Sequence, residues 1–343
     1  ASFTFGRQRA EPMRVSILGA GVAGLTCAVE LAERGVPTEV FEQGDSFGPQ
    51  SCSWFAGGML APWCECDHSA DLVATFGEQS LAWWTKRMPT LVQRGSLLVA
   101  HGRHASELVA LSRRTSRYEW LDADGIAQLE PALANRFPKA LFFKDEAHID
   151  PREALRCLAD RLISLGGRIH FGVASTARSE GEHLVVDCTG LAAREALPEL
   201  RGVKGEMLVL RSSEIALRRP VRLLDPRTPA YIVPRQNGVF MVGATMIESD
   251  DATRITARSM LELLSAACSL HPAFAEAEVL EMGTQVRPAF PDNMPRIVRR
   301  PDRVHINGFF RHGFLLAPAF AQMAADALLT GEPCPQVAHE NHA

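Results

Sequence analysis

Met13-Arg-Val-Ser-Ile-Leu18 runs straight into Gly19-Ala-Gly21-Val-Ala-Gly24, and these twelve residues decide the fold. The first six are a short apolar run rich in branched side chains, the pattern of a buried strand. Leu25–Arg34 carry apolar residues at helical spacing, and Gly35 stands where a helix closes on a left-handed cap. Pro37–Phe41 read as a second strand with Glu42 at its end. Strand, glycine turn, helix, strand and acid together give the βαβ context that a bare G-x-G-x-x-G lacks. Gly19 permits the tight turn. Gly21, with Val22 and Ala23, lets backbone amides approach a pyrophosphate, and Gly24 lets the helix pack close to the strand. The helix N-terminus adds unpaired amides and a partial positive charge. Glu42, 18 residues beyond Gly24, is placed to accept hydrogen bonds from ribose hydroxyls and to repel a 2′-phosphate, which disfavours NADP. The motif indicates a dinucleotide and leaves FAD and NAD open.

The chain around it has 343 residues, 46% hydrophobic and 22% charged, an ordinary globular composition with length for two domains. Lys+Arg 36 against Asp+Glu 40 leaves a net charge of −4, so no basic face for nucleic acid is expected. No run approaches the roughly 20 apolar residues that span a bilayer, and a cytoplasmic protein without a membrane partner is expected. The eight cysteines are scattered and include no Cys-x-x-Cys pair, which reads as reduced thiols. Cys64-Glu-Cys-Asp-His68 has the wrong spacing for a zinc site, and no metal is expected. Residues 1–12 and 332–343 read as tails.

Beyond the second strand, Gly44–Pro49 is a turn, and Ser51-Cys-Ser-Trp-Phe-Ala-Gly57-Gly58-Met59-Leu-Ala-Pro62 follows. Small hydroxyl and glycine residues suit a backbone loop that wraps a planar cofactor. Gln43, Cys52, Ser53, Gly57, Gly58 and Met59 are the candidate contacts. Further on, Val185-Val-Asp-Cys-Thr189-Gly190 reads as a strand closing on a Thr-Gly turn. Leu72–Ala134 read as α-rich, and Arg258–Leu270 as an amphipathic helix. Met207–Leu210, Tyr231–Pro234 and Val239–Gly243 read as strands of an antiparallel sheet.

Ala56-Gly-Gly-Met-Leu-Ala-Pro62 with Glu65 and Asp67 resembles the flavin-covering segment of the glycine oxidase branch of the D-amino-acid oxidase family of FAD-dependent oxidoreductases. The similarity continues in family order. It takes in Val203-Lys-Gly-Glu-Met207, then Ala230-Tyr-Ile-Val-Pro-Arg235 with Val242-Gly-Ala-Thr-Met246, then Val286-Arg-Pro288, and last Gly308-Phe-Phe-Arg-His-Gly-Phe-Leu-Leu-Ala-Pro318. These blocks run from Met13 to Gly331. The resemblance implies an α/β fold in which a Rossmann-like FAD-binding domain (13–70, 146–200 and 284–331) is interleaved with an α+β substrate domain (71–145 and 201–283) built on an antiparallel sheet.

The resemblance also implies roles. Val173, Thr189, Gly190, Phe310, Arg311, His312, Gly313, Phe314 and Leu315 join the FAD contacts. Arg287 clamps a substrate carboxylate, Tyr231 donates to the same carboxylate, Met246 limits side-chain size, and Arg311 lies between flavin and substrate. The cofactor carries the redox step and the protein supplies position. With no cysteine near Arg287, the FAD is expected to be noncovalent. Two departures, Ala289-Phe-Pro-Asp-Asn293 after the arginine and Pro229-Ala230 before the tyrosine, bear on substrate breadth. The implied reaction is oxidative deamination of glycine by oxygen to an imine and then glyoxylate, ammonia and hydrogen peroxide, serving thiamine thiazole synthesis. Sarcosine or small D-amino acids, a dehydrogenase passing electrons to a quinone or protein acceptor, and a non-catalytic flavin-binding partner protein are the other readings. A homo-oligomer stays open.

Overall fold

The computed structural model describes residues 13–65, 70–173, 183–225 and 229–331. Arg14–Leu18 lies inside a six-stranded sheet, flanked by Thr38–Phe41 and His183–Asp187, both parallel to it. Arg168–His170 and Arg303–Asn307 extend the sheet in parallel on either side, and Arg296–Arg299 closes one edge as an antiparallel hairpin strand. Because the three inner strands run the same way, their carboxyl ends share one edge of the sheet. That edge gathers Gly19, Glu42 and the Cys188–Gly190 turn, the position at which open parallel sheets bind ligands.

The crossover helix spans Val22–Glu33, with Gly21 as its N-cap. It starts three residues earlier than its apolar periodicity suggests, because the helix begins inside the glycine motif. Gly35, at φ +81°, provides the left-handed turn that follows it. The helix packs against Gly313–Thr330, which packs in turn on Ala70–Arg87. Gly313–Thr330 is 18 residues long and apolar enough, by length and composition, to cross a membrane, yet 56% of it is buried within the protein. Pro318 sits inside this helix and has no N–H for the carbonyl of Phe314 four residues back. Trp84 Nε1 donates to that carbonyl at 2.8 Å, and the displaced amide of Ala319 donates to Ser80 Oγ at 3.1 Å. A proline tolerated in a buried helix therefore depends on two partners supplied by Ala70–Arg87.

The second sheet has nine strands, ordered Ile247–Glu248, Arg201–Arg211, Val239–Gly243, Ala230–Pro234, Val221–Leu223, Ser96–Val99, Lys139–Phe143 and Glu119–Asp122, with Glu278–Ala289 along the other side of Arg201–Arg211. Nearly all its pairings are antiparallel; Val221–Leu223 with Ser96–Val99 is parallel. Helix Ala257–Leu270 covers the sheet through Leu263, Ala267 and Leu270. The α-rich reading of 72–134 needs a correction. Helices Ala70–Arg87, Ala105–Ser112 and Ala123–Leu129 are there, but Ser96–Val99 and Glu119–Asp122 are sheet strands. Ser-Leu-Leu-Val is buried on both faces, so it shows none of the alternation that marks a strand. Arg201–Arg211 likewise extends seven residues beyond the apolar Met207–Leu210 core, six before and one after, paired throughout with Glu278–Ala289. That last strand runs unbroken across position 284, where the sequence reading divides the domains.

Among the described residues, no cluster of His, Cys, Asp or Glu is arranged to hold a metal, and Cys66, Asp67 and His68 lie outside them. Cys27, Cys52, Cys64, Cys157, Cys188 and Cys268 are free thiols.

Candidate active site

A cavity of about 430 Å³ lies between the carboxyl edge of the parallel sheet and the face of the nine-stranded sheet. Its floor is the glycine turn. Gly19 has φ +94°, and a Cβ there would lie 2.8 Å from the Cys188 carbonyl oxygen. A Cβ on Gly21 would sit 3.3 Å from Ser51 Oγ and Ser53 Oγ, inside the cavity floor. Gly24 faces away from the cavity, and its Cβ would come within 1.9 Å of the Gly19 carbonyl oxygen, so only glycine lets the helix close on the turn. Gly21, the N-cap, has no side chain to cap the helix, and the first turn carries no acid. The amide of Val22 donates to Ser53 Oγ at 3.0 Å. The amides of the next residues and the positive end of the helix face the cavity at Ala23.

Glu42 closes this end of the cavity. One carboxylate oxygen accepts from the Ala20 amide at 2.8 Å and the other from the Gly44 amide at 3.0 Å. Each oxygen keeps a second lone pair, so the carboxylate is fixed in direction and still able to accept from ribose hydroxyls. A second helix also starts at the cavity. His312 is the N-cap of Gly313–Thr330, the Leu316 amide donates to the His312 carbonyl at 2.8 Å, and Gly313, Phe314 and Leu315 of the first turn line the wall. Two unsatisfied helix starts, a directed carboxylate and a glycine cradle fit a diphosphate-bridged dinucleotide.

Most of the sequence-predicted residues meet here. Gly19, Gly21, Val22, Ala23, Glu42 and Gln43 line the end at the glycine turn. Cys52, Ser53, Gly57, Gly58 and Met59 line the covering segment, and Thr189, Gly190, Phe310 and Arg311 the opposite wall. Gly24, Val173 and the ring of His312 are not on the lining. The Val173 amide instead donates to the Glu42 carbonyl at 3.0 Å and its side chain packs on Leu18, Phe41 and Val185. The His312 ring is 4% exposed; its Nε2 accepts from Arg311 Nε at 3.3 Å and its Nδ1 has no partner. Burial, with Arg311, Arg222 and Arg287 nearby, holds this imidazole neutral, its pKa well below the ordinary 6.5.

The far half of the cavity belongs to the nine-stranded sheet. Tyr231 projects from Ala230–Pro234 between two glycines. A Cβ on Gly57 would lie 2.7 Å from its ring, and one on Gly243 would lie 2.8 Å from its hydroxyl. Burial raises the Tyr231 pKa, so the phenol keeps its proton and serves as a donor, and Arg287 partly offsets that rise. Arg287 projects from Glu278–Ala289 and lies over Gly205, where a Cβ would be 2.2 Å from Nη2. Its Nη1 donates to the Thr245 carbonyl at 3.1 Å; the nearby Glu206 is 3.5 Å from Lys204 Nζ instead. A guanidinium held by a backbone carbonyl is ready to receive an anion. Met246, 52% exposed, stands at the mouth.

Sequence reasoning missed several lining residues. Arg222, across from Tyr231 in the paired strands, donates from Nη1 to the Cys64 carbonyl. Glu206 accepts from Thr245 Oγ1 at 3.0 Å and from the Thr256 amide at 3.2 Å, with Lys204 Nζ 3.5 Å away. It anchors both ends of the segment that carries Met246. Behind the lining, fully buried Glu146 accepts from the amides of Trp63 and Cys64 at 2.8 and 2.7 Å. Burial pushes its carboxyl up to about 8. No motif announces these residues, since each acts on main chain distant in sequence.

Residues 14–327 match the family described as FAD dependent oxidoreductase. A Rhizobium etli protein assigned as the thiamine biosynthesis oxidoreductase ThiO is 52% identical over 325 residues, covering 94% of this chain and 99% of that one. Glycine oxidase of Bacillus licheniformis is 29% identical, covering 92% and 93%. The fold is that of the crystal structure of glycine oxidase from Geobacillus kaustophilus, with a TM-score of 0.80 at 24% identity over 93% of this chain and 95% of that one. The glycine cradle, the directed acid and the two helix starts thus sit in a chain that belongs to the FAD-dependent oxidoreductase family.

Proposed function

We propose that the protein oxidises glycine with FAD as noncovalent cofactor and oxygen as acceptor, in the service of thiamine thiazole synthesis in the cytoplasm. The 52% identity to the ThiO protein over nearly the whole of both chains carries this reading. The balance is glycine, oxygen and water giving glyoxylate, ammonia and hydrogen peroxide. Gly19, Gly21, Val22 and Ala23 would hold the pyrophosphate, and Glu42 the ribose. Gly313–Leu315 would face the flavin ring. The bound flavin supplies the two-electron acceptor.

The chain's own residues do the rest by position. Arg287 takes the substrate carboxylate in two parallel hydrogen bonds, and the Tyr231 hydroxyl donates to the same group. Gly57 and Gly243 fix the tyrosine ring, and Gly205 makes the space for the guanidinium. Holding the small zwitterion by its carboxylate with two donors turns a collision into an oriented encounter. Met246 meets substrate at the mouth, and Arg311, tied to the Glu65 carbonyl at 3.0 Å, spans the cofactor and substrate halves. In the same reading the parallel sheet carries the cofactor domain and the nine-stranded sheet the substrate domain, interleaved along the chain.

The test is anaerobic addition of glycine, sarcosine and D-alanine to the yellow protein. Bleaching fastest with glycine, and peroxide formed in air equal to glycine consumed, is the expected result. Bleaching without peroxide would point to another electron acceptor, and no bleaching by any of the three would remove the reading.

A further inference from the structure

Arg287 and Tyr231 account for the carboxylate end of an amino acid and leave its ammonium end without a counter-charge. Besides Glu42 the cavity is lined by Glu65, Glu206 and Asp250; Glu206 is engaged by Thr245, Thr256 and Lys204, and Asp250 by Arg194, which leaves Glu65. Glu65 lines it, is 8% exposed, and accepts no hydrogen bond at its carboxylate from any described residue. Its backbone is fixed from several directions. The amides of Trp63 and Cys64 donate to Glu146, Thr115 Oγ1 donates to the Trp63 carbonyl at 2.6 Å, Arg222 donates to the Cys64 carbonyl, and Arg311 Nη2 donates to the Glu65 carbonyl. Five hydrogen bonds to main chain fix the direction of one side chain that itself makes none with the described residues. Its charge reaches the phenol of Tyr231, in the same field as Arg287 and Arg311.

We propose that Glu65 receives the substrate ammonium and takes one of its protons before oxidation. This rests on the reading of the protein as an amino-acid oxidase. An ammonium nitrogen has no lone pair with which to form the C=N bond, so a proton must leave first. In the step, an N–H bond breaks, its electron pair stays on nitrogen, and an O–H bond forms on Glu65; water later removes that proton. Partial burial favours this transfer, because two neutral groups are solvated more easily than two charges where water is partly displaced. Tyr231, Cys64 and Glu146 lie within reach of the Glu65 charge, Arg311 donates to its carbonyl, and Arg222, Arg287, Glu206 and Asp250 are the other charged groups of the lining away from Glu42.

The experiment compares wild type, Glu65→Gln and Glu65→Asp as flavin-loaded proteins. Positioned general bases contribute about 10²–10⁴-fold. Glu65→Gln is expected to lose kcat/KM for glycine by about that factor near pH 7, and to regain about tenfold per pH unit toward the ionisation of glycine's own amine, while wild type stays level. Glycolate, which has a carboxylate and no ammonium, is expected to bind both proteins equally, read from the shift of the flavin absorbance. Glu65→Asp is expected to keep the level profile at a lower rate. A Glu65→Gln profile parallel to wild type at all pH values, or glycolate weakened as much as glycine, overturns the proposal while leaving the oxidase reading intact. A wild type that no amino acid bleaches overturns both.

Discussion

The bond between Arg287 and the fold can be broken without touching either Arg287 or substrate. Gly205 is a strand residue facing the guanidinium, and its φ lies outside the left-handed region, so alanine is conformationally acceptable there. The new Cβ would be 2.2 Å from Nη2, 2.3 Å from Cζ and 2.6 Å from Nη1, where ordinary contact begins near 3.4 Å. The head group must therefore withdraw by 3.4 − 2.2, about 1.2 Å. It is the free end of a long side chain, so the shift is cheap in stability; replacing a strand glycine stabilises by about 0.5–1 kcal/mol if anything. A displacement of that size breaks at least one of the two hydrogen bonds to a substrate carboxylate, each worth about 1.5–3 kcal/mol when charged. At about 1.4 kcal/mol per decade, Gly205→Ala should raise KM for glycine and the Kd for glycolate roughly ten- to a hundredfold. Flavin content and urea midpoint should not fall. The assay is steady-state oxidation with absorbance titration of glycolate, beside a denaturation curve. Unchanged glycolate affinity would show that Arg287 is not the carboxylate ligand; a fall in stability would show that the guanidinium cannot yield.

Arg287→Ala should weaken glycolate by at least as much and leave the protein yellow, which a titration checks. Gly24→Ala sets a Cβ 1.9 Å from a backbone oxygen that has nowhere to go, so the purified variant should carry little flavin per chain. Trp84→Phe strands the Phe314 carbonyl that Pro318 leaves open, at a cost of about 1–3 kcal/mol; adding Pro318→Ala, whose amide takes that carbonyl, should recover part of the urea midpoint. For Glu146 the native carboxyl binds its proton up to about pH 8, against 4.5 in the unfolded chain. The folded state therefore holds the extra proton in that window, and stability falls as pH rises through it, by up to about 1.4 kcal/mol per unit from this group. Glu146→Gln, which mimics the protonated form, should flatten the slope between pH 5 and 8 in unfolding curves run about a unit apart.

The glycine turn was legible in sequence because its constraints are local: a positive φ at Gly19, a close approach at Gly24, an acid at the end of the next strand. Arg287, Tyr231 and the amides of Gly313–Leu315 were legible only through resemblance, since an arginine before a proline or a lone tyrosine has no local signature. Ser96–Val99 was not legible as a strand, because burial on both faces erases alternation. The amino-acid order thus determined the dinucleotide half, where each residue shapes the backbone within a few positions of itself. The tertiary structure decided the rest. Glu65 gains meaning from five hydrogen bonds to the main chain around it, Gly205 from an arginine 82 residues away, and Pro318 from a tryptophan on another helix. Such pairings depend on which sheet edge meets which helix end, and no short-range pattern encodes that meeting.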